Sequence, residues 1–198
     1  MDSNTAILRD YYAKALAREH KPRTGFAAEL NQTGQTIAID CGCGTGNDIA
    51  YLAQLGYQVH GFDINPDSIS LCRERFASEP RVAITAASFE RFDYPASSMI
   101  IANASLYFAN PLCFQATWQT ISGSLVPGGV FAGDFMGPND SWASAYRSPT
   151  TALSREQVLA LFQGYDIVKL DEHEGEGNTL VGRTKHWHSF SVVAVKRA

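Results

Sequence analysis

The 198-residue sequence predicts a doubly wound α/β fold: a mostly parallel sheet with helices on both faces. Three observations carry this. Short apolar runs alternate with helical patterns from residue 36 onward. A glycine-rich turn, Gly42-Cys43-Gly44-Thr45-Gly46, joins the first of those runs to a helix. At the C-terminal end the alternation breaks, leaving two strand patterns with no helix between them.

The elements follow in order. Residues 5–19 read as an amphipathic helix, ended by Lys21, Pro22 and Gly25, with a second short helix around Phe26 to Leu30. Thr36 to Asp40 is a compact buried strand, and the glycine-rich turn follows at once. Asp48 to Leu55 is helical and stops at Gly56. Tyr57 to Phe62 is a second strand, closed by Asp63. Asn65-Pro66 opens a helix through Phe76, with proline in its first turn and Asp67 at the positive end of its dipole. Val82 to Ala86 and Met99 to Ala102 are the third and fourth strands. Pro111 to Leu125 is helical, and Pro127-Gly128-Gly129 turns the chain into a fifth strand, Val130 to Phe135. Ser154 caps a further helix, with Gln157 placed for a capping box. Strand–helix alternation implies a parallel sheet covered on both faces. Asp166 to Leu170 and Trp187 to Val195 read as the last strands, separated by a polar stretch, Glu172 to Thr184, without helical period. Parallel neighbours need a crossover of a dozen or more residues, so these two form an antiparallel hairpin.

The bulk composition narrows the function classes. The chain is 45% hydrophobic and 18% charged, which suits one globular domain over residues 1–198. A formal net charge of −4 gives no general attraction to nucleic acid or to anionic membranes. No apolar run is long enough to span a bilayer, and the N-terminus lacks a basic-then-apolar signal pattern. The four cysteines form no CxxC pair, which argues against structural zinc and for reduced thiols in the cytoplasm.

The glycine turn lets the backbone fold sharply and lets a ligand approach the main chain, with a helix N-terminus beyond it. A dinucleotide site needs G-x-G-x-x-G, and here the third glycine position holds Asn47. Asp40 before the turn and Asp48 after it would repel a pyrophosphate. They suit a ligand carrying an ammonium and a sulfonium. The plain alternative for Asp40 is a turn residue. Asp63 lies 17 residues past Gly46, where an acid accepts from ribose hydroxyls; its alternative is a helix cap before Pro66.

The segments Asp40-Cys41-Gly42-Cys43-Gly44-Thr45-Gly46 and Gly61-Phe62-Asp63-Ile64 resemble the first two motifs of the class I S-adenosylmethionine-dependent methyltransferases. Leu125-Val126-Pro127-Gly128-Gly129 is similar to that family's turn into strand five. The resemblance implies a seven-stranded sheet with an antiparallel seventh strand, and S-adenosylmethionine as cofactor. It implies that Asp40, Cys41, Gly42, Gly44 and Gly46 hold the methionine moiety. It places Asp63 on the ribose and Ile64 on the adenine, with Ser88 and Phe89 framing the base; for Ile64 and Phe89 the alternative is core packing. Asn103, Ala104 and Tyr107, in the segment after strand four, floor the reaction site. The segments Gly133 to Trp142 and Lys185 to His188 resemble tellurite-resistance-type methyltransferases within the family.

Methyl transfer from a sulfonium is an in-line displacement, so the protein mainly aligns and desolvates the reactants. A thiolate or soft oxyanion acceptor needs no general base. The acceptor is expected to be a small molecule, with anionic and thiol compounds first among the candidates. Asn103, Tyr107, His186 and His188 are the candidate catalytic residues. Period-2 geometry puts His186 and His188 on one strand face, suited to an anion or a proton; no third metal ligand is evident in the sequence, and no metal is expected. A half-exposed strand with ordinary polar residues is the alternative. Tyr11 and Tyr12 belong to an N-terminal segment, residues 1–30, read either as a lid, with Tyr12 touching the donor, or as a core-anchored helix. Two other functions stay open: a nicotinamide oxidoreductase, and a donor-binding module without turnover.

Overall fold

The computed structural model describes residues 3–198, with side chains from Asp10 onward; the first two residues of the 1–30 segment lie outside it. The helices are α1 (Ser3–Leu16), α2 (Pro22–Leu30), α3 (Asn47–Gln54), α4 (Pro66–Arg75), α5 (Phe114–Ser124), α6 (Trp142–Ala145) and α7 (Arg155–Leu161). The strands are β1 (Ile37–Cys41), β2 (Gln58–Asp63), β3 (Val82–Ala86), β4 (Ser97–Ala102), β5 (Leu125–Met136), β6 (Tyr165–Asn178) and β7 (Thr184–Lys196). One seven-stranded sheet runs in the order β3-β2-β1-β4-β5-β7-β6. The first five strands are parallel, β7 is antiparallel to β5, and β6 is antiparallel to β7.

Burial on both faces explains the continuous apolar runs of the central strands. Every residue of β4 is buried. Alternate residues feed two cores. On one face Met99 and Ile101 join Ala27, Ile49, Leu52 and Cys72 under α2, α3 and α4. On the other, Ile100 and Ala102 join Trp118, Ile121, Val158 and Phe162 under α5 and α7. Trp118 there meets Phe131, Phe135 and Phe162 at ring-centroid distances of 5.1, 5.7 and 5.1 Å, edge-on, the favoured geometry for paired rings. Strand order reverses between β1 and β4, which opens a crevice at the C-terminal ends of those strands.

The structure corrects four sequence readings. Pro22 opens α2 instead of ending α1, because proline fits a first helical turn. Gly25 lies inside α2, where a Cβ would stand 3.1 Å from the Tyr51 hydroxyl; it is a packing position and no stop signal. The polar stretch Glu172 to Thr184 is mostly strand: β6 and β7 pair from Tyr165↔Lys196 to Asn178↔Thr184. The loop after β5 carries the short helix α6. The capping box forms as read, with both the Ser154 and Gln157 side-chain bonds present.

Candidate active site

The glycine turn closes the C-terminal end of β1. Gly42, Gly44 and Gly46 all have positive φ, at 71°, 54° and 75°. At Gly42 a Cβ would press to 2.6 Å from Ser105 Cβ, whereas beside Gly44 there is open space. Asp63, at the end of β2, holds the turn. Its Oδ2 accepts from the Gly44 amide at 2.9 Å and its Oδ1 from the Asn65 amide at 2.8 Å. A carboxylate has about four acceptor sites, so hydroxyls still find lone pairs there. Ser105 Oγ donates to the Cys41 carbonyl at 2.5 Å, tying the segment after β4 to the same turn. Cys41 is fully buried, and its carbonyl is taken by Ser105.

Asp40 is buried, and its carboxyl is pushed well above the usual carboxylate range by that burial and then by the negative charge of Asp48. Asp48 is the hub of a polar network. It accepts from the Lys21 amide (2.9 Å), Thr24 Oγ1 (2.7 Å) and Asn103 Nδ2 (2.9 Å). Asn103 is thereby oriented, and its Oδ1 is buried without a hydrogen-bond partner. Crowded acids beside an orphaned acceptor are what a cationic ligand would satisfy.

The segment after β4, the expected floor, is held in place by Asp134. Ala104 has a φ of 52°, rare for a residue with a Cβ, and its amide donates to Asp134 Oδ2 at 2.8 Å. Asp134 also takes a two-pronged grip from Arg23 of α2, at 2.5 and 2.9 Å, and a bond from Ser191 Oγ at 2.6 Å. The Ala104 amide is therefore committed to Asp134. Backbone strain of this kind concentrates at functional sites.

Of the apolar residues expected to frame the adenine, Ile64 and Phe89 part ways. Ile64 is 76% exposed, an apolar side chain with no core to join. Phe89 is buried, edge-on to Phe62 at 5.3 Å, so it backs the site from within the core. Ser88 is half-buried in the turn after β3, its carbonyl accepting from the Arg91 and Phe92 amides.

The segment after β4 and the loop after β5, where the acceptor is expected, are aromatic. Tyr107 is buried, and burial followed by the charges of Asp134 and Asp140 raises its phenol far above neutral pH. It can donate a hydrogen bond but does not act as a general base. Phe108, Trp142 and Tyr146 cluster at centroid distances of 4.8 to 6.2 Å. Trp142, Tyr146, Arg147 and Thr150 line a cavity of about 250 Å³. Lys185 is sandwiched between the rings of Trp142 and Trp187, 3.9 Å from each centroid, and pairs with the buried Asp140. Asp140 also accepts from the amides of Trp142 and His188, which locks the loop after β5 to the hairpin.

His186 and His188 do share a face, but they are spent on carboxylates of β6 and not on the glycine turn. His188 Nε2 lies 3.2 Å from Glu172, and His186 bonds Glu174 and Glu176 at 3.3 and 3.2 Å. The extra length of β6 brings these acids opposite. Among the described side-chain hydrogen bonds of the two imidazoles, none goes to the glycine turn.

The N-terminal helix reaches the site. Tyr12 Oη is 3.1 Å from Ser68 Oγ of α4, while burial and then Asp63 raise the Tyr11 phenol. Asn47 explains why a third glycine is missing. Its Nδ2 donates to the carbonyls of Ala15 and Arg18 at 2.8 and 2.9 Å, and Arg75 donates to its Oδ1 at 2.7 Å. Sequence reasoning missed Asn47 as a fastener, along with Thr24, Arg23 and Asp134; only Asp48, an acid in a first turn beside the glycines, carried a local signal.

A crevice at a strand-order reversal, a glycine turn between two acids and an antiparallel last strand define the class I methyltransferase fold. Residues 38–129, a little under half of the chain, match the family model described as a methyltransferase domain. An uncharacterized methyltransferase, YodH, of Bacillus subtilis (strain 168) is 34% identical over 99 residues, covering 48% of this chain and 41% of that protein. TehB from Haemophilus influenzae superposes with a TM-score of 0.74 at 17% identity, over 90% of this chain and 63% of that one. The Burkholderia thailandensis 1,6-didemethyltoxoflavin-N1-methyltransferase, solved with 1,6-didemethyltoxoflavin and S-adenosylhomocysteine, gives 0.62 at 18% identity, over 100% and 92% of the two chains. The chain thus spans less than two thirds of YodH and of TehB. No described helix is long and apolar enough to cross a membrane.

Proposed function

We propose that the chain is a methyltransferase that uses S-adenosylmethionine to methylate a small molecule, acting in the cytoplasm, where its four unpaired thiols stay reduced. The observation that carries this is the buried, unpartnered Oδ1 of Asn103, whose amide is held by Asp48, the acid whose charge bears on buried Asp40. Bound there, S-adenosylmethionine supplies a methyl group already activated by sulfonium charge. Asn103 Oδ1 and Asp40 receive the ammonium. The turn from Gly42 to Gly46 admits the methionine chain against its backbone. Asp63 accepts from the ribose hydroxyls through lone pairs left free by Gly44 and Asn65. Ile64 covers one face of the adenine. Tyr107 and the rings of Phe108, Trp142 and Tyr146 keep water from the acceptor, and Tyr107 orients it as a donor. With Asp40, Asp48 and Asp63 committed to the donor and its network, no general base is assigned, which favours acceptors already anionic at neutral pH, thiolates among them. The first helix, α1, acts as a lid pinned by Asn47 and by Tyr12, while α2 belongs to the core.

Calorimetric titration with S-adenosylhomocysteine, with NAD as control, tests the donor site. Tight binding of the former only, weakened about tenfold or more in Asp63→Ala, is expected from the loss of charge-assisted hydrogen bonds. Preference for NAD would hand the fold to an oxidoreductase. Binding without methyl transfer to any thiol or oxyanion acceptor would leave a donor-binding module.

A further inference from the structure

We propose that the face of the β6–β7 hairpin bearing Glu172, Glu174 and His188 binds one divalent transition-metal ion, of which Zn²⁺ is the type. The idea stands apart from methyl transfer and uses none of the groups assigned to it.

Each of these three residues offers a ligand atom, and those atoms all lie within 4.8 Å of one another. Donors held at ordinary Zn–N and Zn–O lengths around a tetrahedral ion stand ~3.3–3.6 Å apart. His188 Nε2 is 3.2 Å from Glu172 Oε1 and 3.9 Å from Glu174 Oε2, which brackets that spacing. The fourth position is left to water or to His186, whose Nε2 is 3.3 Å from Glu174 Oε1.

The carboxylates are already oriented, as metal ligands are by their outer partners. Arg155 approaches Glu172 Oε2 at 3.6 Å, and Asn139 Nδ2 donates to Glu174 Oε1 at 3.0 Å. The remaining oxygens, Glu172 Oε1 and Glu174 Oε2, are the ones that face His188. The imidazole itself is fixed: it is 4% exposed and packs so closely over Gly137 that a Cβ there would come within 2.4 Å of the ring. The two glutamates are 41% exposed, so an ion has a way in from solvent. Imidazole with carboxylate suits zinc and its neighbours better than calcium or magnesium.

Loading carries one local cost. The Asn139 amide donates to His188 Nδ1 across 3.2 Å, so the metal-free ring keeps its proton on Nε2, shared with Glu172. The ion replaces that proton at Nε2, the proton moves to Nδ1, and the Asn139 amide turns aside. One long hydrogen bond is given up for three or four metal–ligand bonds.

The test is equilibrium dialysis of the whole chain, stripped with a chelator and returned to Zn²⁺, with Co²⁺ as spectroscopic probe. The variants are Glu172→Gln and Glu174→Gln, which keep side-chain shape; His188→Ala would also empty the packing over Gly137. The expected result is about one ion per chain, with affinity lower by roughly tenfold or more in each variant. Zn²⁺ should raise Tm in the parent and much less in the variants. The Co²⁺ spectrum should show d–d bands without thiolate charge transfer. Failure to retain an ion, equal affinity in both variants, or thiolate bands from the cysteines would each overturn the proposal.

Discussion

At Asp40, burial and the charge of Asp48 both oppose ionisation. The folded protein therefore holds this proton more tightly than the unfolded chain does, and stability falls as pH rises from the ordinary carboxylate range through the raised value. Asp40→Asn abolishes that titration. In urea denaturation the unliganded variant should gain roughly 0.5–2 kcal/mol at neutral pH, and the gain should vanish in acid, where both forms are neutral. Its affinity for S-adenosylhomocysteine should drop at the same time. A parallel stability profile across pH would show that Asp40 is already compensated. Gly137→Ala is expected to cost about 1–3 kcal/mol, because the new methyl group meets the His188 ring; chemical denaturation measures it. The glycine turn and Asp63 were legible in the sequence because their spacing along one β-α-β unit fixes their spacing in space. Asp134 was not, since its partner Arg23 lies 111 residues away. The shared face of His186 and His188 follows from strand period, but what that face meets depends on the register with β6, which no local pattern encodes.

Among the elements, the N-terminal helix depends on a side chain of α3 for its anchorage. Asn47→Ala frees the carbonyls of Ala15 and Arg18. Amide exchange through residues 12–18 should accelerate, and donor affinity should fall while the denaturation midpoint hardly moves. Unchanged donor affinity would separate α1 from the site. At α7, Ser154→Ala removes half of a capping box and should cost about 1 kcal/mol in denaturation. That cap was visible in sequence because both partners lie within four residues. The start of α2 was misread at Pro22 because proline signals a helix end and a first turn equally well, and only packing against α3 decides. The hairpin was seen in outline, for want of a crossover helix, yet Glu172 to Asn178 read as loop: an edge strand with one wet side lacks an apolar alternation to detect.

For the whole molecule, protection should grade outward from the middle of the sheet. The amides of Met99 to Ile101 in β4, buried on both faces, should exchange only through global unfolding, while those near the hairpin turn open locally. Exchange in β4 as fast as at the turn would contradict the two-core arrangement. The fold class was readable because strand and helix periods alternate cleanly over most of the chain; the meeting of α2, β5 and β7 at Asp134 emerges only once the sheet is assembled. The reversed direction of β7 has a practical consequence. Val195 pairs with Val130, where the β5–β7 ladder begins, so the chain leaves the sheet at the end of the strands opposite the glycine turn. A fluorophore or fusion partner carried after Ala198 would ride at a remove from ligand chemistry. One placed ahead of Met1 would pull on α1 and, through Asn47, on the turn itself.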